Sequence, residues 1–472
     1  MDKQELEKKL DDIFKRGVGE FIDPDDVFRK KLIAKAEGKY DKDIIIKYGV
    51  DPTRPDIHLG HAVCFWKLRQ LQDLGCKVVF LVGDFTAQIG DPTGKSKVRP
   101  ELEQKEIDKN MQTYLDQVDK MLKVDDKSFS WIRNSDWFTV SEDITLFDGV
   151  EILVEGLDEN GNKNKIKLDK ADIAVKAKIW EQSRMQVTHL KKNGIHVMTL
   201  RNLLWSLKHI THARLIERDM FQERLKKSEP LYMHEMLYPV LQGSDSYVIE
   251  KIYGSCDLEV GGTDQTFNMI MGRDVMSDNN LEPQSVLALD LLVGTDGTEK
   301  MSKSLDNYIA ITDEPNQVFG KIMSVPDSVI ANYFELCTTM PLEDIRKIEA
   351  DMAAGTLNPR DAKLQLAGEI VKIYHSQAEA EKASQYFVKT ISNKETPTEV
   401  AEFKVETKEI KLSELLVASG NATSIGDARR KIEQGGVSVD GEKILDPNLI
   451  INSSFDNKVF KIGKLGWVRV KF

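Results

Sequence analysis

The chain has 472 residues, 41% of them hydrophobic and 30% charged, with a formal charge of −11. That apolar content supports roughly three domains of ordinary size, and no apolar run reaches the ~18 residues that cross a bilayer, so no membrane partner is expected. The acidic balance argues against indiscriminate coating of DNA or RNA but leaves room for a local basic site. Cys64, Cys76, Cys256 and Cys337 are scattered without a CxxC pair. Structural zinc and a disulfide framework are therefore disfavoured, and a reducing cytoplasm is the expected location.

The opening MDKQELEKKLDDIFKR mixes acids and bases on a helical period. Residues 1–40 read as a helical segment without a secretory or organelle signal. DIIIKYGV (43–50) then reads as a buried strand. After a DPT turn, HLGHAVCFWKLRQLQDLG reads as a helix, with Val63, Phe65, Leu68, Leu71 and Leu74 at helical spacing and Gly75 at its C-terminal end. CKVVFLVGDF (76–85) is a second apolar strand. Strand, helix and strand of these lengths form a right-handed βαβ unit. The fold class is α/β: an open parallel sheet of the Rossmann type, whose ligands lie beyond the carboxyl ends of the strands.

Residues 41–304 are the expected catalytic domain. It is interrupted at 148–197, where DGVEILVEGLDENGNKNKIKL carries an alternating pattern and an Asn-Gly turn, a hairpin signature, and a helix follows. Helices are expected through 198–254, a strand at DLEVGG, and a separate helical domain at 305–387. Residues 388–409 are polar and read as a linker. From Ile410 to Phe472 there are ten Lys/Arg and seven Asp/Glu, a net of +3 that leaves −14 elsewhere.

Three motifs bear on chemistry. In DPTRPDIHLGH (51–61), His58 and His61 lie at i, i+3 at a helix start. Alone, that spacing fits capping or surface histidines. Zinc would need further ligands that the HExxH and thiolate patterns supply and this stretch does not. A third reading is an anion site, since a helix N-terminus offers free N–H groups and two imidazoles can donate to a phosphoryl oxygen. LVGDFTAQIGDPTGKSKVRP (81–100) is a strand-end loop with Lys95, Lys97 and Arg99 and no GxxxxGK[ST] pattern. It fits either phosphate binding or a solvated basic loop. DGTEKMSKS (296–304) presents Lys300 and Lys303 three residues apart, able to clamp a polyphosphate or simply to face solvent.

Together, HxGH after a first strand and KMSKS late in the same sheet resemble the signature pair of class I aminoacyl-tRNA synthetases. GVDPTRPDIHLGH, LVGDFTAQIGDPTGK, YPVLQGSD (238–245), GGTDQTFN (261–268) and EKMSKS occur in the order of the bacterial-type tyrosyl-tRNA synthetases. The resemblance is strong over about 40–136 and 198–310. LSELLVASGNATSIGDARRKIEQGGVSVDGEKI resembles the S4-type RNA-binding domain of that family, placing an S4-like domain at 410–472 and making 305–387 a helical domain of anticodon-binding type.

The resemblance implies ATP-dependent activation of L-tyrosine and its transfer to the 3′ end of tRNA(Tyr). Mg²⁺ would accompany ATP, with no permanently bound cofactor and no protein metal site, and the enzyme would be a cytoplasmic homodimer. It implies roles residue by residue. His58 and His61 stabilise the phosphate in flight, and Thr53 assists at the γ-phosphate. Asp51, Gly60 and Asp264 lie against the nucleotide, and Lys95, Arg99, Lys300 and Lys303 hold the departing pyrophosphate. Tyr238, Gln242 and Asp91 take the tyrosine ammonium, Asp245 its hydroxyl, while Thr86 and Gln265 line the pocket. Arg429, Arg430 and Lys431 contact tRNA. Lys47 departs from the family, many of whose members carry a tyrosine there; Tyr48 is adjacent and, on a strand, faces the other way. A tryptophanyl-type enzyme and a non-catalytic RNA-binding relative are the competing readings.

Overall fold

Among the described residues, six strands build the central sheet: β1 (Val18–Ile22), β2 (Ile45–Val50), β3 (Lys77–Val82), β4 (Phe129–Arg133), β7 (Leu258–Gly262) and β8 (Ser285–Leu289), in the order β1-β8-β7-β2-β3-β4. This computed structural model describes residues 3–93, 104–138, 152–157, 163–168, 200–389, 400, 402–439, 441–463 and 466–472. All neighbours in the sheet run parallel except β1, which is antiparallel to β8. The runs Ile-Ile in β2 and Val-Val-Phe-Leu-Val in β3 are buried, as a sheet covered on both faces requires. The connection from β2 to β3 is helix α3 (Leu59–Asp73), whose Val63, Phe65, Leu68 and Leu71 are buried, and Gly75 follows at φ +88. The expected βαβ unit is thus present.

Chain order reverses between β2, which leads outward to β3 and β4, and β7, which leads to β8. Such a switch point opens a crevice at the strand ends. Over this region packs the long helix α10 (Met233–Tyr253), against α11 (Thr266–Asp278). At Gly243 a Cβ would lie 2.9 Å from the Met271 carbonyl oxygen, so glycine sets that close approach.

The hairpin expected near 150–168 is present as β5 (Ile152–Leu157) paired antiparallel with β6 (Lys163–Leu168). The helix expected after it lies outside the described residues. Among the described residues, no helix is long and apolar enough to cross a membrane.

The chain divides into two compact units, residues 1–293 with 300–308, and residues 294–299 with 309–472. The second contains α12 (Pro315–Ser324), α13 (Ile330–Cys337), α14 (Leu342–Ala353), α15 (Pro359–Tyr374) and α16 (Gln377–Phe387) around buried Phe319, Tyr333 and Phe334. Asn358 and Ser376 cap α15 and α16 by accepting from Arg360 N and Glu379 N.

The C-terminal part holds α17 (Leu412–Ala418), α18 (Ile425–Glu433) and strands β11 (Val437–Val439), β12 (Glu442–Ile444), β14 (Val459–Ile462) and β15 (Gly466–Lys471) around Leu415, Leu416, Ile432 and Phe460. The linker expected to run to 409 is shorter than that. Strand β9 (Glu402–Lys404) pairs parallel with β15, and Phe403 packs on the core. β10 (Glu409–Lys411) pairs with β13 (Ile450–Asn452). β9 is only three residues long, with one apolar side chain between two charged ones, too short a pattern to stand out from the polar stretch around it.

Candidate active site

A cavity of about 720 Å³ opens at the switch point, lined from β2, β7, α10, the start of α3 and the 300–303 segment. Every nucleotide and tyrosine position expected from the sequence that lies among the described residues lines it. Lys95 and Arg99 lie outside the described residues.

His58 is the N-cap of α3, with extended φ −114 and ψ 169, and its N–H donates to His61 Nδ1 at 3.3 Å. The His61 tautomer that accepts there carries its proton on Nε2. The two ring centroids are 3.8 Å apart. Among the described residues, buried His58 Nδ1 has no hydrogen-bond partner. At Gly60 a Cβ would sit 3.1 Å from the His58 ring, so a side chain there would press on the imidazole. Burial, helped by the nearby Lys303 and Lys300 charges, holds His58 down to about 3 and His61 well below the ordinary value. Both are neutral donors at physiological pH.

That depression has a stability consequence. The unfolded chain takes up these protons near pH 6.5 and the native state does not, so each histidine lowers stability as pH falls from 6.5. Asp245 and Asp136, raised by burial to about 7, act oppositely over the same range, because the native state holds protons the unfolded chain has lost. His58→Gln should therefore gain stability relative to the parent on going from pH 7 to pH 5, by up to about 1.4 kcal/mol per pH unit below 6.5. Urea midpoints across that range measure it, and a pH-independent difference would contradict it.

The lysine segment meets the histidines. Lys303 Nζ donates to the Arg54 carbonyl at 3.2 Å and the Tyr114 hydroxyl at 3.1 Å, and lies 5.0 Å from the Tyr114 ring centroid. The His61 ring is 6.1 Å from the same Tyr114. Burial lowers Lys303 to about 8. Lys300 Nζ pairs with Asp264 at 2.5 Å. Met301 is buried, its N–H donating to the Leu292 carbonyl, and Asn307 ties the turn by accepting from Ser302 N at 2.7 Å and donating to the Lys300 carbonyl at 3.1 Å.

On α10, Tyr238, Gln242 and Asp245 share the cavity face. Tyr238 donates to Asp51 at 2.8 Å, as does Thr86 to the other Asp51 oxygen. A Cβ at Gly83 would collide with both Asp51 and Thr86, so glycine is required there. Asp91 accepts from Gln265 at 2.7 Å and from Thr93, and Arg218 lies 3.8 Å away. Asp245 accepts from Trp137 Nε1 at 3.0 Å and Asn134 at 3.5 Å. Lys47 is fully buried beside Glu259 at 3.0 Å, while Tyr48 packs on Phe65 and Phe80. Tyr114, Asn134 and Glu259, which line the cavity, and Trp137 and Arg218, which back its Asp245 and Asp91, were not singled out from sequence: each is an ordinary core or surface residue type until folding brings it there.

On α18, Arg430 and Lys431 pair with Asp427 at 2.8 and 2.9 Å, and Arg429 is exposed. The Lys431 and Arg430 bonds help pull the Asp427 carboxyl down to about 2.

A family profile for class I tRNA synthetases (W and Y) matches residues 39–153 and 162–392, leaving 154–161 of the hairpin between its two parts, and one for the tyrosine–tRNA ligase SYY-like C-terminal domain matches 393–463. The tyrosine–tRNA ligase of Carboxydothermus hydrogenoformans is 38% identical, over 99% of this chain and 98% of that protein. The tyrosine–tRNA ligase of Aquifex aeolicus is 37% identical over 97% of each. Among solved structures, the Archaeoglobus fulgidus tyrosyl-tRNA synthetase complexed with L-tyrosine shares the fold at TM-score 0.52 and 20% identity, covering 80% of this chain and 99% of that one. A C-terminally truncated mitochondrial enzyme from Aspergillus nidulans aligns at TM-score 0.53 and 20% identity, over 81% and 95%. With the profile spanning most of the chain and curated relatives matching along its whole length, the chain belongs to the tyrosine–tRNA ligases of the class I tRNA synthetase family.

Proposed function

We propose that this cavity joins L-tyrosine to ATP as tyrosyl-adenylate and then passes the tyrosyl group to the 3′ end of tRNA(Tyr). The observation that carries the reading is that His61 and Lys303 both meet Tyr114, with His58 packed beside His61, in a cavity that the buried Asp245 also lines. Pyrophosphate exchange with each of the twenty amino acids tests it: tyrosine alone should support exchange.

The attacking carboxylate is already ionised, so the reaction needs no general base and depends on positioning and charge stabilisation. His58 and His61 donate as neutral imidazoles to the α-phosphate oxygens where charge builds. Lys303 and Lys300 receive the leaving pyrophosphate, Lys300 exchanging Asp264 for it, with Lys95 and Arg99 assisting. Thr53 acts at the γ-phosphate, and Asp51, Gly60 and Asp264 face the nucleoside. Asp91, Tyr238 and Gln242 hold the substrate ammonium, with Thr86 and Gln265 bracing them, and Asp245 accepts from the phenol. Mg²⁺ arrives as part of the nucleotide substrate.

The C-terminal domain binds tRNA through α18, where Arg429, Arg430 and Lys431 meet phosphates in a salt-dependent way. Removing residues 396–472, ahead of β9, should leave tyrosine-dependent exchange within about twofold while tRNA charging falls by about tenfold or more, as loss of phosphate contacts implies. Equal loss of both steps would refute the modular reading. On this reading the protein works as a homodimer in the cytoplasm, and the exposed Leu204, Leu225, Tyr232 and Met233 are apolar side chains that a second copy could cover.

A further inference from the structure

Lys47 faces the cavity from β2 with no exposed surface, and its ammonium has three acceptors: the Gln242 carbonyl at 2.8 Å, Ser246 Oγ at 2.8 Å and Glu259 Oε1 at 3.0 Å. An ammonium carries three N–H groups. All three are spent, so Lys47 is not a direct donor to the substrate hydroxyl, although it occupies the wall beside Asp245. Glu259, on β7 and equally buried, also accepts from Gln242 Nε2 at 3.0 Å and, through its other oxygen, from Gln284 Nε2. Strands β2 and β7 and helix α10 are therefore knotted at one point. The tied turn of α10, Gln242 to Ser246, carries both the carboxamide and the carboxylate that face the amino-acid pocket.

A buried ion pair is a poor source of net stability beside apolar residues of the same volume, because desolvation offsets most of the attraction. Its use must then be sought in what it holds. Lys47 fixes backbone and side chain on either side of Asp245. Glu259 fixes the orientation of the Gln242 amide, which is otherwise free to flip, and Asn268 completes that hold by donating to Gln242 Oε1 at 3.0 Å.

We propose that Lys47 and Glu259 are positioning residues for amino-acid selection, clamping the 242–246 turn so that Asp245 faces the pocket as the partner of the tyrosine hydroxyl. The inference rests on the site assignment above. The groups facing Asp245 are Lys47 from β2 and Glu259 from β7, with neutral N–H donors Trp137 and Asn134 from the region after β4. Burial pushes the Asp245 carboxyl up to about 7, and the Lys47 charge opposes that rise. Removing the ammonium pushes the Asp245 carboxyl further toward its protonated form, a weaker partner for the phenol than the carboxylate. Raising the pH ionises it again.

The test is pyrophosphate exchange with tyrosine and with phenylalanine between pH 6.5 and 9, at saturating ATP, for Lys47→Met and for the double variant Lys47→Met/Glu259→Gln. The double variant leaves no unpaired buried charge if the single one misfolds. Expected are a tyrosine KM raised about tenfold at pH 7, an ATP KM within about twofold, and a tyrosine-over-phenylalanine ratio lowered about tenfold, one hydrogen bond to a charged acceptor. The tyrosine defect should narrow toward pH 9. A folded double variant with parental tyrosine KM and discrimination at every pH would overturn the proposal, and so would a defect equal for both amino acids and flat with pH. Asp245→Ala run alongside separates the two readings: if it too leaves discrimination intact, the site assignment itself is at fault.

Discussion

Asp245→Ala is expected to reduce the preference for tyrosine over phenylalanine by about 10- to 100-fold, with exchange of tyrosine falling and exchange of phenylalanine rising. Its carboxylate is 2% exposed and aimed into the pocket, with Trp137 and Asn134 as its protein donors. A phenol completes that set. Phenylalanine cannot, and strands a desolvated acceptor, which costs roughly 1–3 kcal/mol or more when the group is charged. Alanine removes the acceptor, so the penalty on phenylalanine disappears together with the gain from tyrosine. The ratio of kcat/KM values for the two amino acids is the measurement. An unchanged ratio would remove Asp245 from hydroxyl recognition.

The second large effect is expected at His61. His61→Ala should lower kcat for adenylate formation about 10²- to 10³-fold, the usual cost of one preorganised donor at a developing negative charge. Tyrosine KM and the tyrosine-over-phenylalanine ratio should stay put. Because His58 and His61 are neutral throughout the accessible range, the parent's kcat should show no inflection near 6.5. A rise in ATP KM with kcat unaffected would mean that His61 holds the ground-state nucleotide instead. Part of the loss also reflects the His58 N–H left without the His61 acceptor, worth about 1 kcal/mol at a helix start. His61→Asn, which can still accept there, separates that share.

Local patterning announced the βαβ unit because its strands are continuous apolar runs and its helix keeps helical spacing. The motif loops were legible because their unusual residue types cluster within a few positions. Strand alternation also separated Tyr48 from Lys47: the tyrosine packs on Phe65 and Phe80, the lysine turns to Glu259 and Gln242. What the sequence withheld are pairings across long separations. Nothing local in Glu259 says that it meets Lys47, or in Trp137 that its indole N–H reaches Asp245, or in Tyr114 that it stands between Lys303 and His61. The short edge strand β9 was missed for a different reason, since one apolar residue between two charged ones is too brief a pattern to be told from a loop.

The parallel union of β9 with β15 constrains the order in which the C-terminal domain can be made. The strand that begins this domain finds its partner only in residues 469–471, so that pairing waits until synthesis has passed them. Closing so wide a loop makes β9 docking a late, non-local step. A ribosome that stops short of residue 466 leaves β9 with an unsatisfied edge and β14 without one neighbour, whereas the catalytic sheet, finished by residue 289, is already whole.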